Sequence, residues 1–122
     1  MVESEVTVWF NPRCSKCVGA EELLAAHGVP AHKVHYLDDP PSRAELERVL
    51  TLLGTSDPRA MMRTAEPLYR ELGLAEASDA ALLDAMAEHP VLIERPIVIR
   101  GDRAVVARPP ELLLALLDEA TA

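Results

Sequence analysis

The segment that most constrains this chain lies near its start. Residues 5–10 (EVTVWF) form a β-rich run of strand length, Asn11-Pro12 breaks the run at once, and Cys14-Ser15-Lys16-Cys17 follows at the head of a helical stretch. Over residues 15–27 the apolar Val18, Leu23 and Leu24, with the alanines, suit a helix that Gly28 and Pro30 end. Cys14 therefore falls at a helix start, where unpaired backbone N–H groups and the helix dipole favour the thiolate over the thiol. Arg13 and Lys16 push in the same direction, and Cys17 lies one turn on, within reach of a disulfide. This placement makes Cys14 the attacking thiol and Cys17 the resolving one. A structural zinc ion would need four ligands, and His27, His32, His35 and His89 form no second metal-like pair, so no metal is expected. A bridge between the cysteines would close too short a loop to stabilise the fold much, which leaves reactivity as the reason for the pair.

The remaining elements extend this beginning. Residues 32–37 (HKVHYL) read as a second strand, and Asp38-Asp39-Pro40-Pro41 as a turn. Ser42 and Glu45 then form a capping box for a helix over 43–53, which Gly54 stops. Residues 56–89 alternate short helical patterns with breakers at Pro58, Pro67 and Gly73, and Ser78 caps a helix running to Glu88. Residues 96–100 (PIVIR) and 104–107 (AVVA) flank Gly101-Asp102 as a hairpin, and a leucine-rich helix over 111–120 starts after Pro109-Pro110 and packs on the sheet. The order βα, βα, helical insert, ββα is that of an α/β chain with a thioredoxin-like mixed four-stranded sheet flanked by helices. At 122 residues it is expected to be one domain, 1–122, with a helical insertion at about 56–89.

Charge narrows the function. Twelve Lys and Arg against 20 Asp and Glu give a net charge of −8, which argues against a nucleic-acid surface. An anionic substrate would be repelled by the molecule as a whole, so an anion site must gather positive side chains locally. No apolar run reaches the roughly 18–20 residues of a membrane span, and the first five residues are acidic where a signal peptide is basic. The expectation is a cytoplasmic protein that does not engage membranes. Aromatics are only 3% of the chain, so Leu, Val and Ala must fill the core, with Trp9 among them. The four histidines suit solvated or capping positions and are assigned no chemistry.

Several ordered segments carry a resemblance. They are NPRC at 11–14, YLDDPPSR at 36–43, RAMMR at 59–63, Glu66-Pro67, LGLA at 72–75, HPVLIERPIV at 89–98 and Arg108-Pro109. Together they resemble the ArsC-type, glutaredoxin-linked arsenate reductases over nearly the whole chain. The resemblance implies that Cys14 is the nucleophile, that Arg63, Arg95 and Arg108 hold the arsenate oxyanion, and that Asn11 also binds the substrate. Guanidinium forks suit tetrahedral oxyanions in shape and charge, which supports the three arginines independently. Taken alone, Arg63 and Arg108 would read as solvated surface charges. The resemblance also implies a structural cis proline at Pro96, after Arg95. No bound cofactor is implied, and electrons are expected from external thiols: thioredoxin, or glutathione with glutaredoxin. A monomer is expected.

Two positions depart from the family pattern. Glutathione-linked relatives typically use one cysteine in this loop, whereas Cys17 adds a second, which points toward a thioredoxin-type reductant. Phe10 stands where relatives can carry a histidine, so thiolate stabilisation must rest on the helix start and the arginines. The competing readings are an Spx-like redox-sensing transcription regulator, which shares the N-terminal CxxC, and a general glutathione-dependent thiol reductase.

Overall fold

The break at Asn11-Pro12 separates strand from helix as the sequence predicts. In the computed structural model, which describes residues 6–118, β1 (Val6–Trp9) leads through the cysteine loop into α1 (Ser15–Ala26). Cys14 itself is the N-cap of α1, with extended backbone, and His27 closes the other end with Nδ1 3.0 Å from the Leu23 carbonyl. Glu5, assigned to the first strand from sequence, lies outside the described residues.

β2 (Ala31–Val34) runs parallel to β1, pairing Val6 with Ala31 and Trp9 with Val34. It is shorter than the 32–37 expectation. The amides of Asp38 and Asp39 both donate to the His35 carbonyl, so a turn begins there and carries the Tyr36 ring into the core at 1% exposure. Ser42 then caps α2 (Arg43–Leu52) with the reciprocal Ser42 and Glu45 hydrogen bonds of a capping box. Between α2 and the next strand lie α3 (Pro67–Glu71), α4 (Asp79–Glu88) and three 3-10 turns at Pro58–Met61, Leu74–Glu76 and Pro90–Leu92. Arg59 ties this region together: its Nε donates to the Tyr69 hydroxyl (2.8 Å) and its Nη2 to the carbonyls of Leu74 (2.8 Å) and Ala75 (3.0 Å).

The hairpin β3 (Ile97–Arg100) and β4 (Arg103–Val106) completes a sheet of order β2-β1-β3-β4, with β3 antiparallel to β1 and to β4. Alternation along the strands sorts side chains onto two faces. Trp9, Ile97 and Ile99 pack under α2 and α4, while Val6, Val8 and Val98 pack with α1 and the C-terminal segment. That segment starts as a 3-10 turn, Pro110–Leu113, before α5 (Leu114–Asp118), so the α-helix expected from residue 111 begins three residues later, and its predicted end at 119–120 lies outside the described residues. Leu113 and Leu116 bury against the sheet. No helix among the described residues is long and apolar enough to cross a membrane.

Candidate active site

The site forms where the C-terminal end of β1 meets the loop ahead of β3. Asn11 shapes the cysteine loop: its Oδ1 accepts the Arg13 amide (3.0 Å), and its own amide donates to the Cys17 sulfur (3.4 Å). The Cys14 amide donates to the Asn11 carbonyl at 3.0 Å. These bonds fix the turn that delivers Cys14 to the helix start.

The two sulfurs sit in different surroundings. Burial opposes ionisation of Cys14, but the first-turn amide of Cys17, the Arg95 guanidinium, the Cys17 thiol and the Lys16 amide together outweigh it, bringing its pKa down to about 7. Cys17 is wholly buried, and burial, opposed in part by the Asn11 amide but reinforced by the charge on Cys14, pushes its thiol up to about 12. Only Cys14 is ionised near neutrality, so the assignment of roles along the sequence has an electrostatic basis.

The three arginines reach this corner from separate elements. An antiparallel bridge pairs Met62 with Ile93, and flanking bonds from the Arg63 amide to the Leu92 carbonyl (2.7 Å) and the Glu94 amide to the Met61 carbonyl (2.9 Å) lock the two segments together. Arg63 is thereby set opposite Leu92, with its Nε 3.8 Å from Glu94 Oε1. Arg95 precedes Pro96 through a cis peptide bond, as expected, and Arg108 precedes Pro109 through another, which was not anticipated. The Ala107 amide donates to the Pro96 carbonyl (2.9 Å), bringing Arg108 across to the cysteine. Nη1 of Arg108 lies 3.8 Å from Cys14 Sγ and donates to the Arg95 carbonyl at 3.0 Å. Nε of Arg95 is buried and makes no hydrogen bond to the described residues, while the Arg95 guanidinium is close enough to Cys14 to act on its sulfur.

Three neighbours were not singled out from sequence. Glu66 binds Arg63 at 3.0 Å, and Glu94 Oε1 lies 3.8 Å from Arg63 Nε and 3.7 Å from Arg108 Nε. Tyr36 is the third: burial raises its phenol to about 12, against the nearby positive charge of Arg95, with both cysteines also close enough to act on it. Phe10 is buried behind the loop, with His35 edge-on to its ring and Lys33 over its face.

An asymmetric dithiol at the start of the first helix of a mixed four-stranded sheet places the chain among the thioredoxin-fold thiol oxidoreductases. Residues 9–116 match the ArsC family, and the chain belongs to that family. An arsenate reductase of Neisseria meningitidis is 45% identical over 115 residues, spanning 93% of this chain and 98% of the relative. One from Haemophilus influenzae is 43% identical over 114 residues, spanning 92% and 98% respectively. Among solved structures, an arsenate reductase from Vibrio cholerae superposes with a TM-score of 0.88 at 46% identity, covering 91% of this chain and 96% of its own.

Proposed function

We propose that this chain reduces arsenate to arsenite with Cys14 as the nucleophile. The observation that carries this reading is the Cys14 sulfur 3.8 Å from Arg108 Nη1 and within reach of the Arg95 side chain, whose buried Nε has no partner among the described residues. Arg63, Arg95 and Arg108 hold the oxyanion, and Asn11 keeps the cysteine loop open to it. The Cys14 thiolate bonds to arsenic and one arsenate oxygen leaves as water, giving a cysteinyl arsenate adduct. A second thiolate then attacks the Cys14 sulfur. The sulfur–arsenic bond breaks with its electron pair going to arsenic, which falls from +5 to +3 and departs as arsenite, while two thiols become a disulfide.

Cys17 is the preferred second thiol. The two sulfurs are close enough to hydrogen-bond to one another, which puts Cys17 within reach of the sulfur it must attack. The resulting disulfide is then reduced by a thioredoxin-type partner. With glutathione as the second thiol, a mixed disulfide forms instead and a glutaredoxin resolves it. The same reading places the enzyme in the cytoplasm, as a monomer with no bound cofactor.

Steady-state arsenate reduction with purified thioredoxin and glutaredoxin systems, run on wild type, Cys14→Ser and Cys17→Ser, tests the proposal. Cys14→Ser is expected to be inactive with either donor and Cys17→Ser to lose thioredoxin-driven turnover. Arsenate turnover by Cys14→Ser would refute the nucleophile. Undiminished glutathione-driven turnover by Cys17→Ser, with none from thioredoxin in wild type, would overturn the preference for Cys17.

A further inference from the structure

The arginine cluster is not uniformly positive. Arg63 is already bound to Glu66 at 3.0 Å. Glu94 sits between the other parts of the cluster: one oxygen, Oε1, lies 3.8 Å from Arg63 Nε, 3.7 Å from Arg108 Nε, and accepts the Arg95 backbone amide at 3.3 Å. Its side chain is only 25% exposed, so water weakens its field less than it would at the surface. An anion that bridges the Nε edges of Arg63 and Arg108 would therefore lie against a carboxylate.

A carboxylate is acceptor-only when ionised. It repels an oxyanion that carries no proton, but it forms a charge-assisted hydrogen bond with one that presents a hydroxyl. Arsenate and phosphate keep at least one hydroxyl at neutral pH, whereas sulfate keeps none. Shape and size do not separate these tetrahedral ions well, and three guanidinium groups alone would favour whichever carried more charge. We infer that Glu94 is a specificity-determining residue, accepting a hydrogen bond from the hydroxyl of the bound oxyanion and thereby admitting protonated oxyanions of the arsenate and phosphate class while excluding fully deprotonated ones such as sulfate. The inference rests on the oxyanion site proposed above. Arg63, Arg108 and the Arg95 amide are the groups that face Glu94 and hold its carboxylate in place.

Protection of Cys14 from iodoacetamide tests it, with inorganic phosphate and sulfate as probes at constant ionic strength and neutral pH. A hydrogen bond to a charged group corresponds to about ten- to a hundredfold in binding. Phosphate should accordingly protect wild type at a concentration at least about tenfold below that of sulfate. Glu94→Gln keeps the shape, removes the charge and adds a donor, so sulfate should gain and the gap should fall to about threefold or less. Protection by neither ion removes the oxyanion site itself, and this inference with it. Equal protection of wild type by both ions leaves the site standing and overturns only the selectivity, as does a gap that survives in Glu94→Gln. Where Glu94→Gln does not fold, equal protection of wild type still overturns the selectivity, and Glu94→Ala repeats the variant comparison.

Discussion

The pH dependence of Cys14 alkylation measures the central electrostatic feature of the site. With its pKa brought to about 7 from an ordinary 9.0, Cys14 is half ionised at pH 7, whereas an ordinary thiol is about 1% ionised, a roughly fiftyfold difference in thiolate. Lower basicity also weakens the sulfur as a nucleophile. With a Brønsted slope of about 0.4–0.5, the drop costs about six- to tenfold in intrinsic rate. The net expectation is a gain of about five- to eightfold over an ordinary, equally accessible thiol at pH 7, reversing to a deficit of similar size once both are ionised. Limited access to Cys14 scales the whole profile equally, so the midpoint is the safe observable. Initial rates of iodoacetamide addition, with the adduct located by peptide mass, should rise with a midpoint near 7 and label Cys14 alone, because Cys17 stays protonated up to about 12. The Arg95 guanidinium favours the thiolate, so Arg95→Gln should move the midpoint upward by about one pH unit. A wild-type midpoint near 9, or one unmoved by Arg95→Gln, would refute the argument.

Other substitutions test the scaffold. A Cβ on Gly19 would meet Pro110 Cγ at 3.1 Å, so Gly19→Ala sets a helix-propensity gain of about 1 kcal/mol against crowding of about 1–3 kcal/mol; urea unfolding should show a net loss of about 1 kcal/mol, and a gain would show that the Pro110 ring yields. Leu46 is fully buried, and Leu46→Ala should lower unfolding free energy by about 2–5 kcal/mol in the same assay. Ser42→Ala removes half of the capping box and should cost about 1 kcal/mol, with the oxyanion site unaffected. Arg59→Met should speed amide exchange across residues 69–77, where its hydrogen bonds to Tyr69, Leu74 and Ala75 are lost, while leaving exchange in β1 and β3 unchanged.

What could be read along the chain was what local rules govern. The capping box at Ser42, the helix stop at Gly28 and the hairpin around Gly101-Asp102 each depend on a few adjacent residues, and each stands where the sequence places it. Cys14 at a helix start belongs to the same category, which is why its reactivity could be argued without coordinates. The arginines needed the family resemblance, because nothing local distinguishes Arg63 or Arg108 from a solvated charge. Glu94 is inconspicuous in the sequence for a related reason. It follows the buried Ile93 and reads as an ordinary exposed acid, and only the bridge between Met62 and Ile93 together with the path of Arg108 surrounds it with guanidinium groups. The strand composition of HKVHYL predicts pairing through Tyr36, but the turn at His35 ends the strand and the ring serves the core instead.

Cys14 and Arg108 are 94 residues apart in the chain, yet their side chains meet. During synthesis the thiol emerges long before its last guanidinium partner, and before the hairpin that carries that partner across. The nascent polypeptide thus has a cysteine at a helix start but no cradle in which to trap an anion. On the proposed mechanism, capture waits for the final turns to close over the sheet, and catalytic competence then becomes a checkpoint on finished assembly.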